Sequence, residues 1–280
     1  MRRLIRQALR EDIGRGDVTS RATLPARLSI QAVMRANAPG IVAGLPVVRD
    51  VFRHVSPRIR CRLLVKEGAR IRAGTRLAVV TGPARAVFAA ERTALNFLNH
   101  LSGVATLTAQ YVHAVRGTRA VITATRKTLP GLRRLEKYAV AAGGGEPHRM
   151  GLYDAVLIKT NHLRAVGGNA AMLAVLLRRA QRRSRTPIEV EVTNHAELVV
   201  ALACRPQRVL LDNVSLPFMR TAVRLRNRLA PRALLEASGG VTLQNVRAIA
   251  RTGVDRIAVG RITHSAPSLD CALRVTRGSL

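Results

Sequence analysis

The run Thr125-Arg126-Lys127-Thr128 follows directly on a β-branched stretch, Val121-Ile122-Thr123. Leu135-Glu136-Lys137-Tyr138 comes next, and a glycine run, Gly143-Gly144-Gly145, leads into His148-Arg149. Cations fixed at the end of a strand suit chemistry on a small polyanion. A guanidinium fork matches a carboxylate bidentately, whereas an ammonium places a point charge against phosphate. Lysine is scarce here. It occurs only at 66, 127, 137 and 159, so nearly all of the 47 basic residues are arginine. Lys127 and Lys159 both fall at the ends of short β-runs.

The elements that must carry these residues show in the apolar pattern. From about residue 120, AVITAT precedes a helix near 131–142, DAVLI one near 169–183, IEVEV one at 195–203, RVLL one at 216–228 and ALLEAS one at 242–252, and DRIAV closes the series. Such repetition predicts a parallel β/α architecture. Six strands are too few for the full eight-stranded barrel. In β/α barrels the reactive groups gather at the C-terminal strand ends. Thr125, Arg126 and Lys127 follow the first strand here, and Lys159 ends the second. Glu189 and Glu191 share a face of the third, Asp212 follows the fourth, Ser238-Gly239-Gly240 the fifth and Gly260 the sixth. Upstream, the spacing predicts a helix from Leu4 to Arg10, a polar turn at Gly14–Asp17 and an alternating strand over 28–36. A strand–turn–strand unit follows over 62–80, around Gly68 and Gly74, and then a long helix over 86–116 that carries Arg92, Asn96, Asn99 and His100.

The 280 residues are 48% hydrophobic with 2% aromatics and no Trp, which suits one large or two small domains with aliphatic cores. No apolar run is long enough to cross a bilayer. The start, MRRLIRQALRED, lacks the apolar core of a signal peptide, and Glu11 and Asp12 oppose a transit peptide, so a cytoplasmic location is expected. Cys61, Cys204 and Cys271 are far apart without CxxC spacing and read as small buried hydrophobes in a reducing compartment. The net charge of +31 raises nucleic-acid binding as a function. The arginines, however, spread along the whole chain without interleaved aromatics for base stacking. Arg-rich codon usage explains the spread more simply, so no specific nucleic-acid partner is expected, only weak binding at low salt.

Nearly end to end, the motifs resemble the quinolinate phosphoribosyltransferase family. The resemblance rests on EDIGRGDVTS (11–20), AGLPV (43–47), AERTALNFLNHLSGVAT (90–106), TRKTLPGLRRLEKYAV (125–140), GGGEPHRMGLYDAVLIKTNH (143–162), EVEV (189–192), LLDN (210–213), EASGG (236–240) and TGVDRIAVG (252–260). It implies an α/β fold with an N-terminal α/β sandwich domain and an open six-stranded β/α barrel. The expected division is 1–108, joined by 265–280, and 109–264. It further implies a pentosyltransferase of NAD biosynthesis that joins quinolinate to phosphoribosyl pyrophosphate (PRPP) with Mg²⁺. The products would be nicotinate mononucleotide, CO2 and pyrophosphate. A homodimer is implied as well, with Arg92 crossing into the partner's site.

On this resemblance, Arg126, Arg149 and the partner-borne Arg92 would hold the two carboxylates of quinolinate, with Thr125, His148 and Lys127 nearby. Lys127 and Lys159 would meet the leaving pyrophosphate, although a structural salt bridge is a second reading for Lys159. Ser238, Gly239, Gly240, Val259, Gly260 and Arg261 would form the 5′-phosphate loop. Glu191 and Asp212 would bind ribose hydroxyls and Mg²⁺. The catalytic set is thus Lys127, Lys159, Glu191 and Asp212. Glu189 reads equally as a site residue or as a buried structural carboxylate, and His162 as a local hydrogen-bond partner rather than a base. Thr160 stands where the family commonly has Asp, Thr193 where an acid commonly follows EVEV, and Arg261 where a small residue is usual. Pro147 replaces a frequent Asn, as it also does in the molybdenum-transport-associated relatives. The alternatives are therefore a phosphoribosyltransferase of that type acting on another anionic ring, or a noncatalytic basic RNA-binding protein on the same scaffold.

Overall fold

The computed structural model describes residues 1–279, which divide into two compact units. The first comprises residues 1–109, 130–144 and 266–279, and the second 110–129 and 145–265.

The first unit opens with α1 (Arg2–Ile13) and α2 (Val18–Thr23), the latter capped by Asp17, whose side chain accepts from Ser20 N–H. There follow β1 (Ser29–Ala36), β2 (Gly40–Ile41), α3 (Leu45–Val55), β3 (Arg60–Leu63), β4 (Arg70–Ile71), β5 (Arg76–Pro83) and α4 (Ala84–Ala114), whose last residues, from Gln110, belong to the second unit. The strand–turn–strand unit expected over 62–80 is more elaborate than its pattern. β3 pairs with β5, but the intervening β4 leaves them to pair with β2. β1 lies between β5 and a strand formed by Cys271–Ser279, all antiparallel. α3 buries Leu45, Val47, Val48, Val51 and Phe52, an aliphatic stripe that needs only one aromatic ring.

The second unit holds β6 (Val121–Thr123). After it comes α5 (Arg133–Ala142), which belongs to the first unit. The second unit continues with β7 (Val156–Ile158), α6 (Thr160–Arg164), α7 (Ala170–Arg183), β8 (Ile188–Val192), α8 (His195–Ala203), β9 (Arg208–Asp212), α9 (Leu216–Leu229), β10 (Leu234–Ser238), α10 (Val246–Ala250), β11 (Arg256–Ala258) and α11 (Arg261–His264). The Cys271–Ser279 strand completes the chain as β12. The parallel sheet runs β6-β11-β10-β9-β8-β7, so it has six strands. β6 and β7, though consecutive in sequence, form its two edges and do not pair, which makes it an open barrel. The helix expected over 242–252 shrinks to Val246–Ala250, because Gly240 at φ +57 and an Asn245–Thr242 side-chain turn occupy its start. The two-residue alternation sorts the strands. Val190, Val192, Val209, Leu211, Leu235 and Ala237 are buried, and the alternate positions Glu189, Glu191, Leu210, Asp212, Glu236 and Ser238 line a single cavity. Beneath α9 a buried guanidinium, Arg226, donates to Asp255 and to the Ala233 carbonyl, tying helix to strand.

Candidate active site

A cavity of about 670 Å³ opens over the C-terminal strand ends of the open barrel. It is lined by the basic residues Arg126, Lys127, His148, Arg149 and Lys159, with Thr125. Glu191 and Asp212 come from neighbouring strands, and Ser238, Gly239, Gly240, Gly260 and Arg261 supply the loops beside them.

Each cation is set by local structure. After β6 the chain turns sharply: Lys127 N–H donates to Thr125 Oγ1 at 3.0 Å, and Thr263 Oγ1 donates to the Lys127 carbonyl at 2.7 Å. A Cβ at Gly260 would lie 3.0 Å from Lys127 Cδ, so the lysine stem crosses a position that only a hydrogen leaves open. His148 and Arg149 reach the site without a strand of their own. Glu146 N–H donates to Ile122 O at 2.8 Å and Ala124 N–H to Glu146 O at 3.0 Å, a one-residue extension of the free β6 edge. Asp154 then closes the following loop by accepting N–H bonds from Met150 at 2.6 Å and Gly151 at 3.0 Å. Arg149 Nη1 donates to the Ala155 carbonyl at 3.1 Å. Burial, and then the nearby positive Arg126, pull the Arg149 pKa down. Arg126 Nε is itself buried without a partner. Two facing guanidiniums with an unused donor are a site that an anion with more than one carboxylate would neutralise.

In the same cavity His148 and Glu189 are joined by a residue that sequence reasoning did not single out, Glu236. His148 Nε2 lies 2.9 Å from Glu189 Oε2 and 3.7 Å from Glu236 Oε2. Thr123 Oγ1 donates to Glu236 Oε1 at 2.9 Å, Arg256 Nε stands 3.7 Å from Glu236, and Arg208 Nη1 3.8 Å from Glu189. Glu236 is fully buried, and burial followed by the Glu189 charge raises its pKa to about 7. Three potential ligands thus come within 4.8 Å of one another. Arg208 and Arg256 flank the two carboxylates, so each has a positive neighbour within 4 Å. The sequence cues for Glu236 were its place in the EASGG motif and its two-residue step from Ser238 along one strand face. Glu189, left open between two readings, is 98% out of contact with solvent at its side chain and yet lines the cavity.

Carboxylate oxygens suited to a hard divalent cation come from Glu191 and Asp212. Asp212 Oδ2 accepts from Asn213 Nδ2 at 3.1 Å, and Glu191 Oε1 accepts from the Thr160 backbone and hydroxyl. The 238–240 loop is compact. Gly239 has φ +91, and a Cβ there would come 2.2 Å from Asn213 Oδ1. His162 Nδ1 accepts from Lys159 N–H at 2.9 Å, a local bond that fixes the start of α6.

Val259 and the Leu135–Tyr138 group fall outside the cavity. Val259 is fully buried behind the loop, and only its neighbours Gly260 and Arg261 line the cavity. Arg92, expected in the partner's site and not in this one, is exposed on α4 in the first unit. The Leu135–Tyr138 group, with Lys137 buried, packs within the first unit, where Glu136 bonds His100 at 2.9 Å and Tyr138 bonds Glu67 at 2.5 Å.

The chain matches the models of the quinolinate phosphoribosyl transferase N-terminal domain over residues 17–102 and of its C-terminal domain over 104–274. The nicotinate-nucleotide pyrophosphorylase [carboxylating] of Mycobacterium leprae is 46% identical over 272 residues, 96% of this chain and 95% of that one. The probable nicotinate-nucleotide pyrophosphorylase [carboxylating] of Synechocystis is 40% identical over 273 residues, 98% of this chain and 92% of the other. Among solved structures, the nicotinate-nucleotide pyrophosphorylase from Francisella tularensis superposes with a TM-score of 0.90 at 35% identity, covering 98% of this chain and 95% of its own. With both domain models matched in order and relatives aligned over almost their full length, the chain belongs to the quinolinate phosphoribosyltransferase family.

Proposed function

We propose that this protein transfers the phosphoribosyl group of PRPP to quinolinate with loss of CO2, giving nicotinate mononucleotide and pyrophosphate in NAD biosynthesis. The observation that carries the reading is one cavity lined by two guanidiniums, Arg126 and Arg149, by the carboxylates Glu191 and Asp212, and by Gly239, Gly240 and Gly260. Arg126 and Arg149, with His148 behind them, hold the two ring carboxylates and orient the pyridine nitrogen toward the sugar. Lys127 and Lys159 balance the charge that builds on the leaving pyrophosphate. Glu191 and Asp212 accept from ribose hydroxyls, and their negative charge favours the oxocarbenium-like ribose as the bond to pyrophosphate breaks. The open backbone around Gly239, Gly240 and Gly260 receives the 5′-phosphate.

Glu191 and Asp212 are the residues that would hold Mg²⁺, whose contribution would be to neutralise pyrophosphate charge. The working unit on this reading is a cytoplasmic homodimer, with Arg92 completing the partner's diacid site. The described residues contain no helix long and apolar enough to cross a membrane. The test is CO2 release from quinolinate plus PRPP, with and without Mg²⁺, beside the same assay with nicotinate. Turnover of quinolinate alone supports the reading, because nicotinate offers the guanidinium pair only one carboxylate. Equal turnover of both, or none by folded protein, overturns it.

A further inference from the structure

Glu191, like Glu189 and Glu236 deeper in the cavity, is oriented from outside its own strand–helix unit. Its Oε1 accepts twice from a single residue, from Thr160 N–H at 3.0 Å and from Thr160 Oγ1 at 2.6 Å. Thr160 opens α6, directly after Lys159, which lines the same cavity. The start of α6 is itself locked: Lys159 N–H donates to His162 Nδ1 at 2.9 Å, and His162 N–H donates back to the Lys159 carbonyl at 2.8 Å. A β-branched side chain is stiff at χ1, so the Thr160 hydroxyl is a fixed donor and not a searching one. Among the described residues no donor reaches Glu191 Oε2, and Glu191 is only half-buried. One carboxylate oxygen is therefore consumed and the other is left for whatever occupies the cavity.

We propose that Thr160 is a positioning residue for phosphoribosyl transfer. By holding Oε1 it stops the Glu191 carboxylate from rotating and presents Oε2 to the ribose hydroxyls of the donor substrate. The inference rests on the functional reading above, in which Glu191 meets the ribose. Thr160 also couples that carboxylate to the neighbouring lysine. The turn that aims Lys159 at the cavity is the one that clamps Glu191, so the ribose and pyrophosphate contacts share one rigid support.

Two nearly isosteric substitutions separate this role from simple helix capping. Thr160→Val keeps the backbone N–H bond, the branched shape and the volume, and removes only the hydroxyl donor. Thr160→Ser keeps the hydroxyl and removes a methyl group. A hydrogen bond to a charged group carries enough free energy that losing it lowers kcat/KM for PRPP about tenfold. Thr160→Val should show that loss with the KM for quinolinate unchanged, because the diacid is held by Arg126 and Arg149. Thr160→Ser should restore activity to within about twofold, and both variants should melt with the wild type. Wild-type activity in Thr160→Val, an equal loss in Thr160→Ser, or a loss that tracks a lowered melting temperature would each overturn the proposal. Absence of quinolinate turnover in the wild type is read first. It would fail the functional reading itself, before any variant is compared.

Discussion

Replacing Lys127 by Ala isolates one charge from the rest of the site. The loop does not depend on the side chain, because its backbone is tied on both sides by Thr125 Oγ1 and Thr263 Oγ1. The side chain is exposed, with its stem laid over Gly260, so truncation removes little buried area. Stability should then change by no more than about 0.5 kcal/mol, the usual range for a surface substitution. The functional loss is far larger. A unit charge about 4 Å from a phosphate oxygen, at the effective dielectric near a protein surface, is worth about 4 kcal/mol. If most of that is realised only as pyrophosphate departs, kcat falls about a thousandfold. The assay is release of labelled CO2 at saturating quinolinate with PRPP varied, beside a thermal melt of both proteins. A loss of less than about tenfold with an unchanged melt would refute the assignment of Lys127 to the leaving group. Tight, steeply salt-dependent RNA binding that survives the substitution would instead favour a basic RNA-binding protein on this scaffold.

Two other changes test the loop and Glu236. Gly239→Ala places a side chain at φ +91 against Asn213 Oδ1, so it should cost roughly 1–3 kcal/mol and raise the KM for PRPP, read by thermal melt and kinetics. A variant as stable and active as the wild type would count against the tight loop. Glu236→Gln tests the buried carboxylate. Its pKa is raised to about 7, so the folded state binds the extra proton between the ordinary glutamate range and pH 7, and wild-type stability falls as pH rises through that window. The Gln variant lacks this penalty and should gain on the wild type by up to ~3 kcal/mol from pH 5 to pH 8, followed by denaturant melts across pH. A constant difference between the two proteins across that range would show that Glu236 is already charged at pH 5.

Periodicity located the barrel elements well where the pattern was long. The helix at 195–203 matches α8 residue for residue, and Ala170–Arg183 begins one residue after the expected start. It failed where side chains compete with the backbone. Asn245 and Thr242 cap each other, and a short α6 forms after Lys159, ahead of the helix expected near 169–183. β4 was read as part of a hairpin because alternation identifies a strand but not its neighbour, and here the neighbour is β2.

Residue type and spacing along one chain determined which groups reach the strand ends: the Arg126–Lys127 turn, Lys159, Glu191, Asp212 and the Gly239–Gly240 loop all lie at or just past the C-terminal end of a strand. That much follows from local geometry, since the two-residue period and a strand's end are properties of a short segment. Which groups touch across the cavity depended on how distant segments align. His148 meets Glu189 and Glu236 from 41 and 88 residues away because the open β6 edge captures Glu146, and Glu191 is held by Thr160 because β7 and β8 pair in parallel. Sheet order and register decide such contacts, and both are set by the packing of the whole unit, so only the tertiary structure could supply them.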